Sequence, residues 1–136
     1  MGVSQPIRGF YDTPMWDGFI EGDFKVQTCS RCQTSRYPPG PACPDCLSME
    51  YDWRAVAGGG EILSWVIFHR PYFDDHPAPY NAVAVRLDEG PIVITNLVGA
   101  EPEGDWIGQR VRFEVIDRSG RMQHSVRLAV SPDAAG

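Results

Sequence analysis

The stretch CSRCQTSRYPPGPACPDC, residues 29–46, decides how the rest of the chain is read. It holds two Cys-x-x-Cys pairs, Cys29/Cys32 and Cys43/Cys46, separated by ten residues. An excursion of that length brings four thiolates around one tetrahedral centre, and Zn(II) takes four such donors at about 2.3 Å. A two-residue spacer lets one tight turn supply two adjacent corners. With sulfur at all four positions no vertex is left for water or substrate, so the expected metal is structural. Four thiolates would also suit an iron–sulfur cluster, and the spacing does not separate the two.

Other uses of the cysteines fit less well. A disulfide framework belongs to short secreted chains, whereas residues 1–10 (MGVSQPIRGF) hold no apolar signal segment and the chain is long enough to bury a core without staples. A thioredoxin-like redox pair needs one Cys-x-x-Cys at a strand-to-helix junction, and here two pairs stand among prolines. At 136 residues, 43% of them hydrophobic, the chain is expected to form one domain or two small modules. Its formal charge of −6 opposes nonspecific binding to phosphate backbones, which draws on clustered Lys and Arg. No apolar run approaches the roughly 20 residues of a membrane span. Reduced cysteines and no export signal lead us to expect a cytoplasmic protein.

Upstream of the metal turns, residues 1–24 read as an arm and a short helix. Asp12-Thr13-Pro14 is a helix start, with Met15, Trp16, Phe19 and Ile20 on one face and Gly22 as the stop. Residues 25–57 read as a zinc ribbon. Phe24 to Gln27 is a strand leading into the first turn, Tyr37-Pro38-Pro39-Gly40-Pro41 stiffens the excursion, and Tyr51 to Val56 is a strand leading out. Gly58-Gly59-Gly60 lacks the Lys and Ser/Thr of a phosphate loop and reads as a hinge or the start of a strand.

From Glu61 the pattern becomes regular β. Candidate strands are 61–68, 81–88, 91–98, 110–117 and 122–130, with hairpin signals at Asp88-Glu89-Gly90 and Arg118-Ser119-Gly120. The connection from Gly99 to Gly108 is long enough to hold a short helical turn. Five strands within residues 58–132 fit a small barrel of the oligonucleotide/oligosaccharide-binding (OB) type better than a seven-stranded sandwich. The expected fold is therefore mainly β, a short helix and zinc ribbon followed by a five-stranded OB-fold barrel, with residues 133–136 as a tail.

The order helix, Cys-x-x-Cys, Tyr-Pro-Pro, Cys-Pro-x-Cys, Trp53, a Gly-rich junction, Pro79-Tyr80 before a strand, Asp88-Glu89-Gly90, and Ile107-Gly108 before Val111-Arg112-Phe113 resembles the DUF35 family over residues 12–132. These are zinc-ribbon proteins with an OB-fold domain. The resemblance implies a non-catalytic accessory or scaffold subunit that partners a thiolase-like enzyme and helps accommodate or channel acyl-CoA, as in steroid side-chain or other lipid metabolism. The chain departs from the family at Gly40, where a larger, often basic residue follows Pro-Pro, and at Gln33, where glycine is common.

The residues themselves offer little catalytic chemistry. Once four cysteines are assigned to metal no nucleophilic thiol is left, and no Gly-x-Ser-x-Gly elbow occurs. His69 and His76, near Asp74 and Asp75, make only a weak acid/base pair, and His124 sits in a strand pattern as a structural residue. The segment from His69 to Tyr80 is instead the best contact surface, with Arg70, Tyr72, Phe73 and Tyr80 as anchors. Trp16 and Phe19 on the helix are candidate partner contacts, and Arg36 is a further cation for a phosphate group. The alternative function is a stand-alone module for single-stranded nucleic acid, because OB barrels bind such strands with aromatics and a basic groove. The acidic balance argues against that groove.

Overall fold

In the computed structural model, which describes residues 9–71, 77–118 and 120–129, the chain opens with α1 (Thr13–Ile20). Asp12 starts it: its carbonyl accepts from the Trp16 amide at 3.1 Å and its carboxylate from the Trp16 indole at 3.0 Å. Met15 is buried and Trp16 half-buried, which fits one packed face. Ile20 does not share that face, contrary to the sequence reading, and is 66% exposed. The helix ends there, the amides of Glu21 and Asp23 turn back onto the Gly18 carbonyl, and Gly22 reverses the chain at φ 81°. The Phe19 side chain lies outside the described residues.

Next comes a three-stranded antiparallel sheet in the order β2-β1-β3, built from β1 (Lys25–Cys29), β2 (Ser35–Arg36) and β3 (Tyr51–Ala55). The two-residue β2 had no counterpart in the sequence reading. β4 (Gly59–Phe68), β5 (Tyr80–Leu87), β6 (Ile92–Thr95), β7 (Arg110–Arg118) and β8 (Arg121–Leu128) form a second sheet in the order β6-β5-β4-β7-β8. It curls into a half-open barrel of OB type. Among the described residues closure is by one parallel bridge, Leu97 to Val126, in which Val98 N donates to Val126 O at 2.8 Å and Val126 N to Asn96 O at 2.9 Å. A bulge between Ile62 and Ser64 bends β4, so that it pairs with β7 at its start and with β5 along its length.

The glycine run starts β4. A Cβ on Gly60 would stand 2.7 Å from Val85 Cγ1 and 2.9 Å from the Arg86 carbonyl, so only glycine lets these two strands approach. Residues 99–108 hold turns and no helix. Their anchor is Trp106, buried and stacked on Trp65 at 4.4 Å.

Among the described residues two apolar clusters hold the fold. One belongs to the barrel alone: Ile62, Val83, Val85, Leu97, Trp106, Val111 and Val126. The other joins the parts, with Met15 from α1, Phe24 and Val26 from the ribbon, and Leu87 and Val93 from the barrel. The ribbon thus shares a core with the barrel rather than hanging from it.

Candidate metal centre

The four sulfurs of Cys29, Cys32, Cys43 and Cys46 lie within 4.8 Å of one another. Cys29 to Cys46 is 3.6 Å and Cys32 to Cys43 is 3.5 Å. A regular tetrahedron with metal–sulfur bonds of about 2.3 Å has edges of about 3.8 Å, so these two edges match a Zn(II) cage and the set is compact enough to hold the ion. With no fifth donor in the set, the metal's chemistry is to cross-link the two turns.

Both turns are built alike. In the first, Cys29 N donates to Thr34 O at 2.9 Å and Gln33 N to Cys29 O at 3.0 Å; in the second, Cys43 N donates to Ser48 O at 2.8 Å and Leu47 N to Cys43 O at 2.9 Å. Further amides point at sulfur. The Cys32 N–H is the main influence holding the Cys29 thiol down to about 6, against desolvation and with help from the Arg31 N–H. The Ser48 N–H also lowers Cys46, but burial and the hydrogen bonds with Cys29, Cys32 and Cys43 push that thiol up to about 11. The fold that aims these amides puts Gln33 and Leu47 at φ 67° and 64°, the left-handed region that glycine enters freely. Their place after each Cys-x-x-Cys was legible; that they would hold this conformation as non-glycine residues was not.

Behind the metal, Gln27 and Arg36 face each other in register on β1 and β2. Arg36 is only 8% exposed. Its Nε donates to Gln27 Oε1 at 2.7 Å, its Nη2 donates to Gly40 O at 3.2 Å, and its guanidinium lies 5.6 Å from the Tyr51 ring centre. The remaining contact candidates fall elsewhere. Trp16 packs at the junction of helix and barrel, near the ring of His124 at 6.5 Å. Tyr80 is half-buried and stacks on Phe68 at 5.0 Å, and Arg70 is exposed close by in sequence. Tyr72 and Phe73 lie outside the described residues, as do Asp74, Asp75 and His76.

His124 is the junction's centre. Its ring stacks on Phe24 at 5.5 Å and meets Tyr37 and Phe113 edge-on at 6.3 and 6.4 Å. The Thr95 hydroxyl donates to the His124 carbonyl at 3.2 Å, so its oxygen is left to accept from Nδ1–H at 2.8 Å. That selects the neutral Nδ1–H tautomer, and burial depresses the imidazole to about 4. The neighbouring Tyr37 phenol is raised, first by burial and then by the Asp12 charge. This histidine packs where helix, ribbon and barrel meet, a position its strand pattern did not reveal. Among the described residues no helix is long and apolar enough to cross a membrane.

Residues 16–52 match the family described as ChsH2, rubredoxin-like zinc ribbon domain, and residues 53–115 match ChsH2, C-terminal OB-fold domain. A probable enoyl-CoA hydratase alpha subunit of Thermomonospora curvata is 43% identical over 95 residues, which is 68% of this chain and 29% of that protein. A DUF35 domain-containing scaffold protein of Pyrococcus furiosus is 31% identical over 86 residues, 62% of each. The chain therefore matches less than two thirds of the length of either relative. A solved structure named Ltp2-ChsH2(DUF35) aldolase superposes with a TM-score of 0.84 at 31% identity, covering 93% of this chain and 100% of the matched one.

Proposed function

The chain belongs to the DUF35/ChsH2 family, a rubredoxin-like zinc ribbon joined to an OB fold, and from that premise we propose that it is an accessory subunit of a thiolase-like acyl-CoA enzyme. In this reading it binds the enzyme, holds the shape of its entrance and helps accommodate acyl-CoA, without turning over substrate by itself. One observation carries it: the likeness, over 93% of the chain and both modules, to a chain whose name couples Ltp2 with a DUF35 component in an aldolase. The hydratase name of the Thermomonospora relative supports acyl-CoA as the substrate class, and the Pyrococcus name supports a scaffold.

The division into a ribbon at residues 25–57 and a barrel at 58–132 belongs to the same proposal. So do the contact roles of Arg36, Arg70, Tyr72, Phe73, Tyr80, Trp16 and Phe19. The metal fits a structural part: it sets the ribbon, and the ribbon's shared core with the barrel sets how the two present themselves. Capture of the tagged protein from its native cells in mild salt, with mass spectrometry of what accompanies it, tests the reading. A thiolase-like subunit at near-equal abundance is expected; recovery of the chain alone, or with nucleic acid, overturns it.

A further inference from the structure

Behind its cysteines the ribbon buries a cation and gives it no carboxylate. The acceptors that meet Arg36 are neutral: Gln27 Oε1 takes its Nε–H and Gly40 O takes its Nη2–H. Among the described residues no acid pairs with it, and its Nη1, like Gln27 Nε2, is buried without a hydrogen-bond partner. Gln27 cannot turn its oxygen to help, because that oxygen also accepts from the Gly40 amide at 2.8 Å. A guanidinium stays charged when buried, and a buried charge with no counter-charge is costly. Every free polar group at this spot is a donor, the complement of an anion.

The sheet shows where that anion lies. Gln27 on β1 stands opposite Arg36 on β2, and Cys29, two residues along β1, stands opposite Tyr51 on β3. Residues paired across a ladder share a face, as do residues two apart, so Gln27, Cys29, Arg36 and Tyr51 rise from one side of the sheet. Strand β1 lies between β2 and β3, and the Arg36 guanidinium is 5.6 Å from the Tyr51 ring centre, so these two side chains meet over β1, beside Cys29. Four thiolates outweigh the charge of the ion they hold, which makes the loaded centre anionic. We propose that Arg36 is the internal counter-cation of the tetrathiolate metal centre, held over the Cys29 strand by Gln27 and Gly40. Arg31 and Arg54 belong to the same ribbon but are exposed, where water screens them. Arg36 acts through an interior in which Cys29 and Gln27 are fully buried, and its field is correspondingly stronger there. This adds a residue outside the four cysteines to the metal site and does not depend on the accessory-subunit reading.

Three variants of the full chain test it. Arg36→Gln removes the charge, Arg36→Lys keeps it without the planar fork, and Arg112→Gln removes the same formal charge from an exposed position on the barrel. Zinc affinity is read by competition with a chromophoric chelator, with circular dichroism as the folding control. The sulfur-to-cobalt charge-transfer band is read on each chain saturated with Co(II). A cation beside the thiolates holds electrons on sulfur, so its removal moves that band to longer wavelength. Arg36→Gln is expected to bind zinc about tenfold more weakly or worse and to shift the band, while Arg36→Lys recovers most of both and Arg112→Gln matches the wild type. Unchanged affinity and band in Arg36→Gln overturn the proposal. Weaker affinity with the band unmoved, or a lysine variant as weak as the glutamine one, also overturns it, because clamping Gly40 would then be the whole role of the side chain. An equal loss in Arg112→Gln overturns it in favour of the chain's overall charge. If Arg36→Gln takes up no metal, recovery by lysine carries the proposal and its failure overturns it.

Discussion

The ribbon and the barrel sit in one molecule and are held by different physics. The barrel owns seven buried apolar residues and closes a hydrogen-bonded sheet around them. The ribbon buries Gln27, Thr28 and Arg36 behind its cysteines, groups that contribute little apolar stabilisation. Metal ligation has to supply there what burial supplies in the barrel. Where the two meet, α1, β1 and the barrel share Met15, Phe24, Val26, Leu87 and Val93, so each part completes the other's core.

The largest break in that symmetry should come from the metal. Structural Zn(II) in small ribbons contributes apparent binding energies of about 10 kcal/mol, all of it folding free energy because the unfolded chain has no site. Removing zinc with a chelator, or replacing Cys43 by serine, is expected to unfold residues of β1 to β3 while β4 to β8 keep their hydrogen bonds. Amide hydrogen exchange read strand by strand checks this. Loss of protection throughout the barrel at the same rate would show that the shared cluster, not the barrel's own, carries its stability.

The converse perturbation should be smaller and run the other way. Ile62 is fully buried in the barrel's own cluster, and truncating it to alanine should cost about 2–5 kcal/mol. Zinc content should stay at one per chain. Denaturant unfolding with metal release followed in parallel separates the outcomes, and zinc lost before the barrel melts would contradict the division.

How much of this was legible follows the same line. The barrel strands announced themselves by β-branched runs between turn residues, and the metal cage by cysteine spacing, because both are local patterns. β2 was not legible, since a pair of residues, Ser35 and Arg36, has no period to read. Nor was the burial of Arg36, because a lone arginine gives no sign that Gln27 will meet it across a ladder. The stack of Trp65 on Trp106 and the rings around His124 join residues far apart in sequence, and only the closed fold brings them together. Ile20 was misread because helical periodicity says nothing about where the last turn leaves the surface.

His124 allows the junction itself to be weighed. Its folded pKa of about 4 lies below its unfolded value of 6.5, so the unfolded chain binds the extra proton between those limits. The stabilisation from keeping this ring neutral is complete above pH 6.5 and is lost as pH falls towards 4. Between pH 7 and pH 5 the loss should be about 2 kcal/mol. Acid also weakens zinc ligation, but equally in a His124→Phe variant, so the difference in pH dependence between variant and wild type isolates the histidine. Parallel pH profiles for the two would mean that the junction does not hold the ring neutral.

The smallest effect lies within the ribbon, between its two metal turns. Both place a non-glycine residue in the left-handed region, which costs roughly 1–2 kcal/mol. Gln33 offsets this with its amide, which donates to Ser30 O at 3.0 Å and accepts from Arg54. Leu47 is 75% exposed, and its hydrocarbon side chain has no polar group with which to offset the strain. Glycine at 47 would relieve the strain but add unfolded-state entropy of about 0.5–1 kcal/mol. The net gain for Leu47→Gly should be about 0.5–1 kcal/mol, a rise in melting temperature of about 3 °C for the zinc-loaded protein. Gln33→Gly gives up its hydrogen bonds and should gain nothing. Equal gains at both sites would mean that the Gln33 amide contributes no stability. A loss at Leu47 would mean that its exposed side chain holds the second turn in a way its backbone angle conceals.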